Sequence, residues 1–302
     1  MRMVIALMLG LVLAGGSARA ADAVRVGSKL DAESGLLGTM ILQVLQANGV
    51  PTENRIQLGP TKIVRGALLA GEIDIYPEYT GNGAFFFNMD SDPAWKNAQA
   101  GYEMVRRLDR ERNNIVWLKP APANNTWAIA VRKDVAAPNG LASMEDFARW
   151  VTAGGKAKIA ASAEFVESPA ALPSFQKTYG FTLRPEQMLV LAGGDTAATI
   201  RAAAEGTSGV NTAMVYGTDG AISALDLVVM GDTKGAQMVY EPAPAIRAAV
   251  LEAHPRIGEA LAPVFASLDA ETLRTLNARI SVEGQDMKQV ATAYLTSKGF
   301  LK

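Results

Sequence analysis

The chain reads as an α/β protein of two lobes with a hinge and an interlobe cleft. Three observations carry that reading. Short apolar strand candidates alternate with segments of helical period, the pattern of a layered α/β domain. The pattern runs twice, on either side of 120–125, where Pro120 and Pro122 stiffen an exposed connection. A second proline-marked segment, near 237–244, brings the chain back. Two α/β halves joined by two such segments predict a hinge. The boundaries expected are a leader over 1–20, lobe 1 over 21–123 and 241–302, and lobe 2 over 124–240. A length of 302 residues is enough for two ordinary domains.

Lobe 1 opens with a strand over 24–27 and the loop Ser28-Lys29-Leu30-Asp31. A helix follows over 35–47, with Leu37, Ile41, Val44 and Leu45 on one face, and Asn48-Gly49 stops it. A strand candidate covers 56–58. Pro60 and Thr61 then open a helix whose Ile63, Val64, Ala67 and Leu68 point one way and which ends at Gly71. The stretch 71–83 is the pivot. Ile73 and Ile75 alternate with Asp74 and Tyr76, a strand period. Pro77 lacks a backbone donor and is expected to end the strand. Thr80-Gly81-Asn82-Gly83 is turn chemistry, with two glycines free to take positive φ. Tyr79 is thus expected at a strand mouth, as pocket wall rather than core. A polar-faced helix over 94–112 and a short strand over 116–118 complete the set.

Lobe 2 begins with a strand over 127–131. Ser143 and Asp146 form the ends of a capping box that starts a helix. A strand over 158–161 precedes a helix over 169–179, capped by Gly180. A strand over 189–191, a helix running from an Asp195 cap to Glu205, and a strand over 211–216 follow. Short extended runs cover 227–230 and 237–240. Pro242 and Pro244 mark the return connection. Beyond them everything reads as helix, over 245–253, 257–267, 270–278 and 285–298, returning to lobe 1.

Composition narrows the function. Arg2, an apolar run over 3–13 and Ala18-Arg19-Ala20 have the order of a secretory signal peptide. The run is too short to span a bilayer. Cleavage after Ala20 leaves 27 Lys plus Arg against 30 Asp plus Glu, a net charge of −3. A weakly acidic chain without basic clusters is no nucleic-acid binder. Cysteine is absent, which excludes disulfides, thiolate metal sites, a cysteine nucleophile and a lipid-bearing cysteine. The expected product is a free, soluble, monomeric periplasmic protein. There is no Gly-x-Ser-x-Gly elbow, Walker loop or His-Glu-x-x-His. The lone His254, before Pro255, suits a helix C-terminus. Asp90-Ser91-Asp92 is too short for a calcium loop. No cofactor, metal or catalytic set is expected.

What remains is aromatic. Tyr79, Trp127, Tyr216 and Tyr240 fall at strand ends or on the crossover. Any one of them suits core or lid packing. Four around one cleft suit a permanent cation, which has no N–H and is held by π faces.

At these residues the chain resembles the substrate-binding proteins of ABC importers for quaternary-ammonium osmoprotectants, the glycine betaine/choline binders. The stretches are Val26-Gly27-Ser28-Lys29, the 71–83 segment with Glu78-Tyr79-Thr80-Gly81, Asn124-Asn125-Thr126-Trp127, Ser162-Ala163-Glu164-Phe165, Tyr216-Gly217-Thr218-Asp219-Gly220, and Tyr240 before Pro242-Ala243-Pro244. They run in family order over nearly the whole mature chain, and look most like the stress-associated, enterobacterial-type branch. The resemblance implies a two-lobe periplasmic-binding-protein fold, type II-like, that closes an aromatic box on its ligand. It implies an inner-membrane ABC permease as partner and no enzyme activity.

Residue by residue, the resemblance puts Tyr79, Tyr216 and Tyr240 on box tyrosines and Trp127 where the family often has tyrosine. Asn125 falls where an acidic or amide residue lines the cage. Lys29 falls on a residue that helps hold a ligand carboxylate. Asn82 stands where the family often has threonine. Ser168, four residues after Glu164, stands where many members carry a carboxylate-gripping arginine. Without that planar fork, weak betaine binding and poor betaine–choline discrimination are expected, with affinity roughly micromolar to millimolar. The rival readings are a different small solute in the same cleft, a periplasmic hydrolase or lyase, and a sensor partner that docks on a receptor. The missing nucleophile and metal set argue against the enzyme.

Overall fold

The computed structural model describes residues 23–191 and 196–301. The leader and Asp195, the cap expected for one lobe 2 helix, lie outside the described residues. In chain order the strands are β1 (Val24–Lys29), β2 (Thr52–Gly59), β3 (Ile75–Tyr79), β4 (Ile115–Trp117), β5 (Trp127–Arg132), β6 (Ile159–Ser162), β7 (Met188–Leu191), β8 (Thr212–Tyr216), β9 (Leu227–Val229) and β10 (Pro242–Arg247). They form two five-stranded sheets, ordered β2-β1-β3-β10-β4 and β7-β6-β8-β5-β9.

The two sheets follow one plan. In each, three strands linked by helical crossovers run parallel, β2-β1-β3 and β7-β6-β8. The strand that first enters the lobe after a crossing then inserts antiparallel, β10 in one sheet and β5 in the other. Side chains alternate across each sheet and feed separate clusters. Ile75 and Ile246 join the core under the helix Ala32–Ala47, while Tyr76 and Ala245 join the core on the opposite face. In the second sheet Ile129 and Met214 face one cluster, and Ala128, Ala130 and Val215 the other. Both faces are covered, as a mostly parallel sheet requires. Among the described residues no helix is long and apolar enough to cross a membrane.

Local signals behave as their chemistry demands. The capping box at Ser143 and Asp146 is formed and starts the helix Met144–Thr152. Gly71 and Gly180 end their helices in the left-handed region. Three expectations fail. Pro77 does not end β3, which runs on to Tyr79; it faces Pro244 across the antiparallel pair. A pair that exchanges no N–H···O bonds needs no N–H from either proline. The segment with Pro242 and Pro244 is likewise no connection but β10, an inner strand: the proline carbonyls accept from Ala121 and Leu118, past the end of β4, where no ladder donor is needed, and the helix expected from 245 begins only at Ala248. Finally, Gly81 and Gly83 do not take positive φ. They sit in the 3-10 turn Thr80–Asn82 and the helical turn Gly83–Phe86. Gly81 is required by space: a Cβ there would lie 2.7 Å from the Val239 carbonyl oxygen and 2.8 Å from the Tyr240 ring.

The two crossings run side by side and bond to each other. The Asn125 N–H donates to the Tyr240 carbonyl at 2.9 Å, and the Tyr240 N–H to Asn124 Oδ1 at 2.8 Å. A second interlobe contact lies across the cleft. The helix Gly220–Ala224 of lobe 2 packs on the helix Ala270–Ser281 so closely that a Cβ on Gly220 would fall 2.2 Å from the Ala278 nitrogen. Arg274 Nε donates to the Gly217 carbonyl beside it, at 2.7 Å.

Candidate ligand-binding site

The lobe 1 wall starts where β1 ends. After Lys29 the chain turns through Asp31, whose carboxylate accepts the Ser34 N–H at 2.8 Å and caps the helix Ala32–Ala47. That places Glu33 in the first turn, 6 % exposed. Its carboxylate accepts from the Tyr79 hydroxyl at 2.7 Å, Asn125 Nδ2 at 3.1 Å and Asn277 Nδ2 at 2.7 Å. Burial nevertheless pushes the Glu33 carboxyl up, outweighing hydrogen bonds from Thr218, Tyr79 and Asn277 that pull it down. Asn277 also donates to the Thr218 carbonyl at 2.9 Å, tying the helix Ala270–Ser281 to lobe 2.

A second buried carboxylate lies behind the first. Glu78, at the end of β3, pairs with the Lys29 ammonium and accepts from the Tyr76 hydroxyl, the Tyr79 N–H and Asn82 Nδ2, each at 2.7 Å. Lys29 Nζ also rests 4.7 Å from the Tyr79 ring centroid. Burial first, and then the charge of Glu33, push the Tyr79 phenol well above its ordinary range.

The lobe 2 wall is made of rings. Trp127 starts β5 and Tyr216 ends β8, and the antiparallel register puts them opposite each other. The rings stack with centroids 6.3 Å apart and planes 20° apart, and Phe165 supports Trp127 edge-on at 6.0 Å. Tyr216 is 37 % exposed. Tyr240 comes in from the crossing, packed on Gly81. Burial pushes its phenol up to about 12, with Tyr216 adding to the effect.

Two cavities meet at these residues. The polar one, about 450 Å³, is lined by Lys29, Glu33, Tyr79 and Asn82 of lobe 1, and by Thr218 and Asp219 of lobe 2. The aromatic one, about 560 Å³, is lined by Trp127, Ala170, Ser174, Gln237 and Met238. Asn125, Tyr216 and Tyr240 line both. Each volume lies in the range of small-molecule sites.

Seven of the eight residues singled out in the sequence therefore lie on the cleft: Lys29, Tyr79, Asn82, Asn125, Trp127, Tyr216 and Tyr240. Ser168 lines neither cavity. It caps the helix Ala163–Glu167, and its Oγ accepts from the Ala170 N–H at 3.4 Å. The sequence reading missed Glu33, Asn277 and Thr218. Asp31 followed two residues later by an acid is a helix-start signal, so Glu33 was within reach. Nothing local marks Asn277, which is separated from Glu33 by 244 residues.

Against known proteins, residues 22–297 match the family described as the substrate binding domain of ABC-type glycine betaine transport systems. The chain belongs to this family. It is 60% identical over 284 residues to the glycine betaine-binding protein YehZ of Escherichia coli strain K12, covering 94% of this chain and 93% of that one. It is 30% identical over 281 residues to a glycine-betaine-binding protein of Pseudomonas aeruginosa, covering 91% and 88%. The structure of apo YehZ superposes with a TM-score of 0.90 over 93% of this chain and all of that one. A glycine betaine/carnitine/choline ABC transporter structure shares the fold at 19% identity, with a TM-score of 0.79 and coverage of 92% and 100%. The family's members are substrate-binding components of ABC importers, and the two-lobe architecture is theirs.

Proposed function

We propose that the protein is the periplasmic solute-binding component of an ABC importer and that its ligand is a quaternary ammonium compound, glycine betaine, choline or a close relative. The observation that carries this is the meeting of Trp127, Tyr216 and Tyr240 on the wall of the aromatic cavity. A quaternary head offers no N–H, so acceptors cannot hold it, whereas π faces can, at about 0.5–2 kcal/mol each. Trp127, Tyr216 and Tyr240, with Asn125, form the head site. Tyr79 belongs to the frame, because its hydroxyl and one face are engaged by Glu33 and Lys29. Residues 21–123 with 241–302 form one lobe and 124–240 the other, and they close over the ligand about the paired crossings. The protein performs no covalent chemistry and hands its ligand unchanged to an inner-membrane permease. The leader directs export, giving a mature N-terminus at Ala21.

The test is calorimetric titration of the full mature chain with glycine betaine, choline and tetramethylammonium. At least one should bind, and Trp127→Ala should weaken that binding about fivefold, the equivalent of about 1 kcal/mol. Failure of all three to bind the native protein would sink the reading. N-terminal sequencing of periplasmic protein that still shows Met1 would sink the export assignment.

A further inference from the structure

One ionisable group stands at the seam where the lobes meet. Glu33 lines the polar cavity from the first turn of the helix Ala32–Ala47, and it is only 6 % exposed. Its cover comes from both lobes. Lobe 1 supplies the Tyr79 hydroxyl and Asn277 Nδ2, and the first crossing supplies Asn125 Nδ2. Lobe 2 adds a hydrogen bond from the Thr218 side chain. Thr218 belongs to a segment clasped between that crossing and the helix Ala270–Ser281. A Cβ on Gly217 would lie 2.2 Å from the Asn124 carbonyl oxygen, and one on Gly220 2.2 Å from the Ala278 nitrogen. Arg274 Nε and Asn277 Nδ2 donate to the Gly217 and Thr218 carbonyls, at 2.7 and 2.9 Å. Asn277 thus bonds Glu33 and the clasp through one amide group.

A carboxylate in that place feels the lobes move. When they part, Thr218 leaves with lobe 2 and water reaches Glu33 from the cavity side. When they meet, Glu33 exchanges that water for a single hydroxyl. Loss of hydration favours the neutral form of an acid. With the lobes together, burial is the leading influence and holds the Glu33 carboxyl above its ordinary value, and the charge of Asp31, at the cap of the same helix, adds to the rise. On the sheet side Lys29 is engaged by Glu78 and by the Tyr79 ring. Lobe 2 brings a further carboxylate, Asp219, to the cavity wall. The helix Ala270–Ser281 brings Arg274, which bonds the Gly217 carbonyl and feels the charge of Asp219. The one histidine, His254, is not on the cavity wall. Neutral Glu33 keeps its place, because a hydroxyl such as that of Thr218 can turn from donor to acceptor.

We infer that Glu33 is a proton-sensitive catch on lobe closure: protonated, it holds the clasp shut, and ionised, it loosens it, so that the protein holds its solute more tightly in acid and releases it more readily toward neutral pH. The inference rests on the closing motion in the reading given above. Glu33 acts as a positioning residue, through Thr218 and Asn277, and touches no ligand. The sign follows from linkage. Closure raises the Glu33 value and therefore takes up a proton. Closure is most favoured below pH 4.5, the ordinary value, and the advantage is lost as pH rises through the value in the closed form.

The experiment is calorimetric titration of the full mature chain with glycine betaine, choline and tetramethylammonium, from pH 4.5 to about pH 7.5, at each pH in two buffers of different ionisation enthalpy. None of the three titrates in that range, so a proton taken up on binding belongs to the protein. The affinity of each that binds should fall at least about threefold across the range, with net proton uptake where it falls; one proton limits the slope to about tenfold per pH unit. Glu33→Gln, confirmed as folded by thermal melting, should take up no proton and lose the pH dependence, whereas Asp219→Asn should keep both. A native chain that binds without uptake overturns the inference and leaves the binding reading standing. So does uptake that persists in folded Glu33→Gln. If that variant does not fold, Asp219→Asn decides, since uptake lost there moves the proton to Asp219 and overturns the inference. Failure of all three ligands to bind the native chain at every pH overturns the reading itself, and the inference with it.

Discussion

Lobe 1 and lobe 2 build their cleft walls from different materials on the same strand plan. The lobe 1 wall is a set of buried polar groups already paired with one another: Lys29 with Glu78, Tyr79 with Glu33, Asn82 with Glu78. The lobe 2 wall is a stacked pair of rings, Trp127 and Tyr216, half open to the cleft. The contrast cannot come from topology, because both sheets insert one antiparallel strand beside three parallel ones. It comes from the side chains at the strand ends, where an α/β fold places function independently of its frame. A wall of mutually satisfied charges is rigid, and each member depends on the others. A wall of rings keeps its faces for a guest.

If that contrast holds, perturbing lobe 1 should cost stability and perturbing lobe 2 should cost binding. The largest effect is expected from Lys29→Met. It strands Glu78, fully buried, without its counter-charge, and breaking a buried pair this way costs about 3–5 kcal/mol. Denaturant unfolding measures it. A loss below about 1 kcal/mol, the range of surface pairs, would mean that water reaches Glu78 and the wall is not dry. Next comes the contact that holds the two walls together. Gly220→Ala drives a methyl against the Ala278 backbone, 2.2 Å away, where nothing flexible can yield. Overpacking predicts about 1–3 kcal/mol, with a larger radius of gyration in small-angle scattering as the helix Gly220–Ala224 lifts. An unchanged melting curve and scattering profile would show that the lobes are not in contact there in solution.

The acid limb of stability sharpens the contrast within lobe 1. Asp74 bonds Arg25 and Arg247, which hold its carboxyl below the usual range despite burial. Its contribution is present above pH 3.8, the ordinary value, and is lost as pH falls through the lower folded value. Glu33 has the opposite sign. Its folded value is raised, so its contribution is full below pH 4.5 and is lost as pH rises through the folded value. Asp74→Asn should flatten the pH dependence of stability at the acid end, and Glu33→Gln the fall above pH 4.5. Chemical denaturation across pH checks both signs. The smallest effect is expected at Ser168, which lies outside both cavities. Ser168→Ala should change ligand affinity by less than about 0.5 kcal/mol. Calorimetry that shows a tenfold loss would return Ser168 to the site.

Much of this was legible from residues alone, wherever the controlling interaction is short in sequence. Alternation places Ile75 and Tyr76 on opposite faces of β3, and they enter different cores. The Ser143 and Asp146 box, three residues apart, forms as its spacing demands. Proline misled the reading twice. Pro77 and Pro244 look like strand breakers until they are seen facing each other across one pair, 167 residues apart in sequence. The donor each lacks is not required where they meet.

The elements, their apolar faces, the two-lobe repeat and the aromatic residues at strand ends follow from the chain itself, since helix and strand periods are set by neighbours within one element. The family resemblance had already marked Tyr79, Trp127, Tyr216 and Tyr240. Folding decided which of those rings stay free. It laid the Lys29 ammonium on Tyr79 and left Trp127 and Tyr216 open to the cleft. It also brought Glu33, Asn125 and Asn277 around one carboxylate from three distant parts of the chain. Whether a charged or amide side chain is spent or available depends on which partners share its buried volume. Desolvation and hydrogen-bond geometry set that in three dimensions, and no spacing along the sequence encodes it.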